Sequence, residues 1–574
     1  MSFSQELGDY TDVDVLVAGT GAGGLSAAFT AASHGLKTVV VEKAAKFGGT
    51  TAVSGGWVWI PNSRHAREEG IQDSIKDARS YLQAETGNFF DGEKIDTFLK
   101  HGPEMLDYFE ENSAVRFSLG AYFSDYHPEQ PGGKTGGRSL NAEPFDLREL
   151  GQDKDRLAPA LREIMFLGMM IGSNRELKHF FEAARSVKSF GVVAGLLARH
   201  AIEVLRNGRA MRLTNGNALA ARLARSVLDK QVPIFTSTPL QELVIEGGRV
   251  VGAIVKSEGR TTEIRARRGV VLATGGFPHN TELRKALYPH AQTGTEHYSP
   301  AATGNTGDGL RAAEKAGAIF EDRYPQAAAW VPVSLVPKKT GPPGYFPHLV
   351  DRAKPGVIAV RRDGKRFVNE ANSYHDVIAE LIRATPVGEV CEAFLVVDHR
   401  TIRRYGLGFV KPFPIPLQPS LASGYLKRGR TIRDLANATG IDPIGFENTI
   451  RNFNGYAKRD GSDPEFGRGT TGYNRYLGDP EHKPNPCVAP IESGPFYAIR
   501  IVPGDLGSFV GLTTDSHGHA LDSDRRAIPG LYAVGNDAAS IMGGNYPGGG
   551  ITLGPAMTFG YLAGLDLASG GAES

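Results

Sequence analysis

The run Gly19-Thr20-Gly21-Ala22-Gly23-Gly24 has the composition and spacing to bind phosphate through backbone rather than side chains. Gly19 permits a tight turn, Gly21 removes a side chain that would collide with pyrophosphate, and Gly24 lets a following helix lie close to a sheet. The amides around Ala22 and Gly23, at the positive end of that helix, would receive the phosphates. Downstream, Glu42 is placed to accept hydrogen bonds from a ribose diol. Glycine turns are common, so the motif by itself is weak. Its weight comes from the elements around it.

Those elements read in order. Asp14-Val15-Leu16-Val17 is a short buried strand, the next helix runs to Ser33 with Gly35 as its C-cap, and Lys37-Thr38-Val39-Val40-Val41 is a second buried strand ending at Glu42. Strand, glycine turn, helix, strand and terminal acid together form a dinucleotide fingerprint. Hairpin strands are expected at 243–245 and 250–255, and a further strand at 269–273. Leu531-Tyr532-Ala533-Val534-Gly535 restores the strand-then-glycine pattern near the end of the chain. We therefore expect an α/β protein with a discontinuous Rossmann-type domain (1–284 and 506–574). An α+β substrate domain (285–505), rich in Tyr, Trp and Pro, is inserted in it.

Residues 152–212 read as a helical insert. Its apolar stretches at 164–170 and 190–197 are flanked by Arg185, Lys188, Arg199 and Arg206. A subdomain packed on the core is the plainer reading. A basic, apolar surface lying on a membrane or lining a greasy entrance is the sharper one.

At 574 residues the chain exceeds one hydrophobic core. A net charge of +1 gives no footprint for nucleic acid. Cys391 and Cys487 lack metal-ligand spacing, so neither a metal site nor a disulfide framework is expected. The polar, acidic N-terminus and the absence of an apolar run of about 20 residues point to the cytoplasm.

NAD and FAD share the fingerprint, and other segments choose between them. Lys43 is followed by Gly48-Gly49-Thr50-Thr51-Ala52-Val53-Ser54-Gly55-Gly56, small residues that let backbone pass close to a flat ring system. Together with Ala273-Thr274-Gly275-Gly276 and the late segment Gly535-Asn536-Asp537, this resembles the flavoprotein family of fumarate reductases and 3-ketosteroid dehydrogenases. The likeness spans nearly the whole chain, leaving out the first dozen residues, the helical insert and the C-terminal tail. It implies FAD, with the position of Asp537 serving the ribityl chain. Asp308, Thr552 and Leu553 join the candidate cofactor residues. No histidine stands in the glycine-rich segment, so attachment is expected to be non-covalent.

The two branches of that family need different chemistry. A fumarate reductase clamps a dicarboxylate with cations, whereas Met542 to Ala556 here contains no Arg, Lys or His. A cation-free stretch suits a neutral, apolar substrate. Within it, Tyr546-Pro547-Gly548-Gly549-Gly550 is similar to the tyrosine-proline-glycine-x-glycine signature of 3-ketosteroid Δ1-dehydrogenases. The likeness implies that the Tyr546 hydroxyl and Gly550 amide polarise a 3-keto oxygen, two neutral donors acting as an oxyanion hole.

Asn369-Glu370-Ala371-Asn372-Ser373-Tyr374 resembles that family's base segment and implies Tyr374 as the C2 base, although Ser373 stands where proline is common. The segment from Ser124 to Gly133 implies Tyr126 as the supporting tyrosine, with Tyr122 as its competitor. The C1 hydrogen would leave as hydride to the flavin, and an external acceptor would take the electrons. A Δ4(5α)-dehydrogenase, an oxidoreductase of another hydrophobic enone and a fumarate- or urocanate-type reductase stay open; in the last, Arg361, Arg362 or Arg366 would bind the carboxylate. So does a non-enzymatic flavin carrier that docks on membranes. Oligomeric state is not legible.

Overall fold

Runs of Val, Leu, Ile and Ala with no polar alternation cannot tolerate solvent on either face, so they become the middle strands of a covered parallel sheet. In the computed structural model, which describes residues 6–173, 176–183 and 186–570, that sheet is built on Asp12–Ala18. It pairs in parallel with Thr38–Val41 on one side and Arg260–Leu272 on the other. Ile234–Phe235 extends one edge, and Ala527–Ala533 and His519–Leu521 extend the other. Leu240–Glu246 and Arg249–Ser257 form an antiparallel hairpin on Arg260–Leu272. The sequence placed the strands at 12–18, 38–41, 240–246, 249–257, 260–272 and 527–533, most of them starting earlier than their apolar runs, and did not mark Ile234–Phe235 or His519–Leu521.

The helix Ala22–Ser33 follows the glycine turn and packs against the C-terminal helix Leu553–Ser569. Small residues allow the approach: a Cβ at Gly560 would lie 2.4 Å from the Gly23 carbonyl oxygen. The end of the chain therefore closes on its beginning, which brings the segment before Leu553 to the dinucleotide turn.

A second, six-stranded sheet collects Gly344–Pro347, Ala328–Val336, Phe496–Ser508, Ala393–Asp398, Val357–Val360 and Lys427–Gly429. Phe496–Ser508 spans the expected boundary at 505–506, so that boundary falls within a strand. A small sheet of Trp57–Trp59, Ser139–Ala142 and Phe117–Leu119 lies beside the cavity described below.

The expected helical insert is only half helical. Residues 190–197 do lie in the helix Val187–Asn207. The stretch 164–170 instead folds as a tight turn, with Leu167 and Gly168 at positive φ and Phe166 bridged to Met169. Arg185, one of the expected basic flanks, lies outside the described residues. Cys391 and Cys487 are buried free thiols. No helix among the described residues is long and apolar enough to cross a membrane.

Candidate active site

A cavity of about 2800 Å³ runs between the two sheets. Of the candidate cofactor residues, only Gly24 and Asp537 do not line it. The glycine turn separates two physical demands. A Cβ at Gly24 would meet the Gly19 carbonyl oxygen at 2.2 Å, so helix packing requires glycine there. At Gly21 a Cβ would meet nothing closer than Thr51 Oγ1 at 3.7 Å, so the protein's own packing makes no such demand. A ligand passing over the turn would.

Glu42 closes the second strand as expected. Its carboxylate accepts from the Thr20 amide (3.1 Å), the Thr20 hydroxyl and the Ala44 amide (2.8 Å), and burial raises its pKa. Lys43 pairs with Asp308 at 2.7 Å. Asp537 is fully buried and turned inward. It accepts from the Thr274 and Gly276 amides at 2.5 and 2.8 Å, fixing the Thr274–Gly276 turn instead of facing the cavity. Gly535 and Asn536 line the cavity in its place.

Tyr126, Tyr374 and Tyr546 come together from three distant parts of the chain. The Tyr126 hydroxyl donates to the Tyr374 hydroxyl at 3.1 Å. The Tyr126 ring stacks on Tyr546 with centroids 5.5 Å apart, and Tyr374 meets Tyr546 edge-on at 5.0 Å. Burial pushes the Tyr546 phenol up to about 12, and the Tyr126 and Tyr374 phenols well above their ordinary range. Tyr122 also lines the cavity but is 83% exposed, and the geometry joins Tyr126, not Tyr122, to Tyr374. Sequence reading missed Tyr473, whose ring lies 4.6 Å from that of Tyr126. It stands in no quoted motif, and only the tertiary fold identifies it.

The local sequence explains how each tyrosine is held. Tyr374 begins the helix Tyr374–Ala384, and Ser373 is its N-cap, accepting from the Asp376 amide at 3.1 Å. The serine that departs from the family pattern thus has a structural use. Tyr126 follows Asp125, which is locked by Arg138 (2.8 Å) and by the Trp59 indole (2.8 Å). The Tyr126 amide donates to the Pro547 carbonyl at 2.8 Å, tying its loop to the residue after Tyr546. Next to it, His127 bridges Glu85 at 2.9 Å and Asp376 at 2.8 Å. Burial opposes its charge, but the two carboxylates outweigh that and hold its pKa up to about 11.

Gly550 sits at φ +105°, where a Cβ would lie 2.6 Å from the Val58 carbonyl carbon. Among the described residues, no acceptor pairs with its amide. A neutral phenol and an unpaired amide on one short segment have the chemistry that an oxyanion site requires. The three arginines that the sequence offered to a carboxylate reductase lie elsewhere. Arg366 is fully buried against Glu370 and Asp463, Arg361 pairs with Asp363, and Arg362 pairs with Glu392. None lines the cavity. No cluster of metal-ligating side chains occurs among the described residues.

The glycine turn, the acid that closes the second strand and the tyrosine-lined cavity define an FAD-dependent oxidoreductase on a Rossmann-type fold. The FAD binding domain profile matches residues 14–553. The chain is 41% identical to a 3-oxosteroid 1-dehydrogenase of Mycolicibacterium smegmatis over 98% of both proteins. It is 40% identical to a 4-oxocyclohex-2-ene-1-carboxylate 5-dehydrogenase of Sinomonas cyclohexanicum, covering 97% of this chain and 93% of that protein. Among solved structures, a 3-ketosteroid Δ1-dehydrogenase of Sterolibacterium denitrificans, complexed with 1,4-androstadiene-3,17-dione, superposes with a TM-score of 0.90. It is 35% identical and covers 97% of this chain and 100% of that one. The chain belongs to the FAD-binding 3-oxosteroid dehydrogenase family.

Proposed function

We propose that this protein introduces the 1,2 double bond of 3-ketosteroids. The observation that carries the reading is the contact of Tyr126 and Tyr374 beside Tyr546 and the unpaired Gly550 amide. Tyr546 and Gly550 would take the 3-keto oxygen and acidify the adjacent C2–H. Tyr374 receives that proton, and Tyr126 supports it by hydrogen bonding. FAD, when bound without a covalent link, supplies the hydride acceptor for C1 and passes the electrons to an external acceptor. Burial makes a standing tyrosinate expensive, so Tyr374 must shed its proton through its hydroxyl partners as it takes the new one. Relatives named for steroid 1-dehydrogenation support the position of the double bond. The domain division near 284 and 506 belongs to this reading: one unit would carry FAD and the other the base.

Anaerobic addition of 4-androstene-3,17-dione should bleach the bound flavin, and mass spectrometry should place the new bond at C1–C2. Bleaching by 4-oxocyclohexanecarboxylate alone would move the substrate to compact ring acids. Reoxidation of dithionite-reduced protein by fumarate would favour a carboxylate reductase.

We further infer that the helix Val187–Asn207 rests on an anionic lipid surface. Val187, Phe190 and Leu205 are 91%, 62% and 86% exposed, and Lys188, Arg199 and Arg206 lie on the same helix. Several of its residues also line the cavity, which suits uptake of a greasy substrate. Co-sedimentation with phosphatidylglycerol vesicles that is lost in Phe190→Asp/Leu205→Asp supports this placement. Failure of the unmodified protein to sediment with them overturns it.

A further inference from the structure

The cavity is neutral at one end and carries charged side chains of both signs elsewhere, with Asp351, Asp479 and Glu481 beside its cations. Around Tyr126, Tyr374 and Tyr546 the donors are phenols and amides. The same cavity is also lined by Phe346, Arg403, Lys411 and Phe413. Lys411 Nζ lies 5.7 Å from the ring centroids of both Phe346 and Phe409. Burial lowers its pKa from the usual lysine value, yet no carboxylate among the described residues comes within ion-pair distance of it. The carboxylate whose charge acts on it from farther away, Asp351, already accepts from the Gly408 amide at 2.9 Å and pairs with His348 at 2.7 Å. The Arg403 guanidinium lies 5.1 Å from the Phe413 ring centroid and donates to the Ile415 carbonyl at 2.7 Å. It too has no carboxylate within ion-pair distance among the described residues. The neighbouring Arg404 differs, being neutralised by Asp479.

A half-buried cation that meets only ring faces and a carbonyl has lost water without gaining an anion. Aromatic faces recover part of that loss. A substrate bearing an anion would recover the rest, through a charge-assisted hydrogen bond. We propose that Lys411 and Arg403 receive a carboxylate carried on the tail of the polycyclic ketone, remote from the oxygen held by Tyr546 and Gly550. The substrate class is then a ring-ketone acid, neutral where it reacts and anionic where it is selected. This rests on the ring-ketone reading above.

The test compares 3-oxo-4-cholen-24-oate with its methyl ester, which has the same rings and tail but no charge. With the flavin-loaded enzyme, kcat/KM should favour the acid by about tenfold, the scale of a partly screened charged hydrogen bond. The preference should sit mainly in KM and shrink as salt rises. In Lys411→Met the acid-to-ester ratio should fall towards one, and in Lys411→Arg it should persist. Flavin absorbance and circular dichroism verify that each variant is folded. Equal kcat/KM for acid and ester in the unmodified enzyme overturns the proposal while leaving the ring-ketone reading intact. A preference that survives Lys411→Met combined with Arg403→Met overturns it as well. If neither compound bleaches a flavin that dithionite can reduce, the ring-ketone reading itself falls, and this proposal with it.

Discussion

The hydroxyls of Tyr126 and Tyr374 lie 3.1 Å apart, although 248 positions separate them in the chain. One is carried on a loop pinned by Asp125 and Arg138, the other on the first turn of a helix. In the mechanism we propose, their contact would carry the proton taken from the substrate.

Replacing Tyr374 by Phe removes the proposed proton acceptor and leaves the ring packing against Tyr546. Turnover of 4-androstene-3,17-dione should drop by roughly 10²–10⁴-fold, the usual contribution of a positioned general base. The flavin spectrum should be unchanged. Near-normal turnover in a dye-linked assay would remove Tyr374 from the base role.

Gly550→Ala forces a methyl group into the backbone of Trp57 and Val58, at a φ that side chains rarely adopt. We expect a loss of about 1–3 kcal/mol in stability from the strain. A larger loss of activity should accompany it, because the amide proposed to meet the ketone must move. Thermal melting and kcat/KM, measured on the same preparation, check both parts.

His127 should make stability depend on pH in a stated direction. Its folded pKa, about 11, lies above the ordinary histidine value of 6.5. Its contribution is therefore complete below pH 6.5 and is lost as pH rises through about 11. The stability gap between the unmodified protein and His127→Gln should be widest in acid and narrow steadily towards pH 11. Denaturant midpoints across that range measure it, and a gap that widens with pH would contradict the assignment.

Arg366 and Glu370 form a fully buried ion pair that also holds Asp463 and Arg468. Arg366→Leu leaves buried Asp463 without its cation and Glu370 with Arg468 alone, and such losses amount to about 3–5 kcal/mol. We expect a large fall in the urea midpoint. Arg366→Lys should recover only part of it, since one ammonium cannot replace a bidentate guanidinium. Full recovery by lysine would show that charge alone matters there.

Much of the cofactor half was legible because its signals are local. The turn from Gly19 to Gly24, the acid Glu42 and the apolar strands around them are neighbours in sequence, and their physics acts over a few residues. Tyr374 and Tyr546 were legible through motif resemblance. Tyr473 was not, since nothing adjacent to it in the chain marks it. The stretch 164–170 misled because a short apolar run has no period of its own. Whether it becomes helix or turn depends on what packs against it.

By itself, then, the sequence determined the dinucleotide unit, the places of its strands along the chain and the neutral character of the Tyr546–Gly550 segment. Tertiary structure decided that Tyr126 rather than Tyr122 meets Tyr374, and that Asp537 turns inward to hold a backbone turn. It also buried Arg366 in the core and left Lys411 beside the cavity without a carboxylate partner among the described residues. The division has a physical cause. Phosphate binding by a glycine turn is specified over one strand and one helix end. The pairing of charges and hydroxyls depends on which distant elements the closed core brings within about 3 Å of one another.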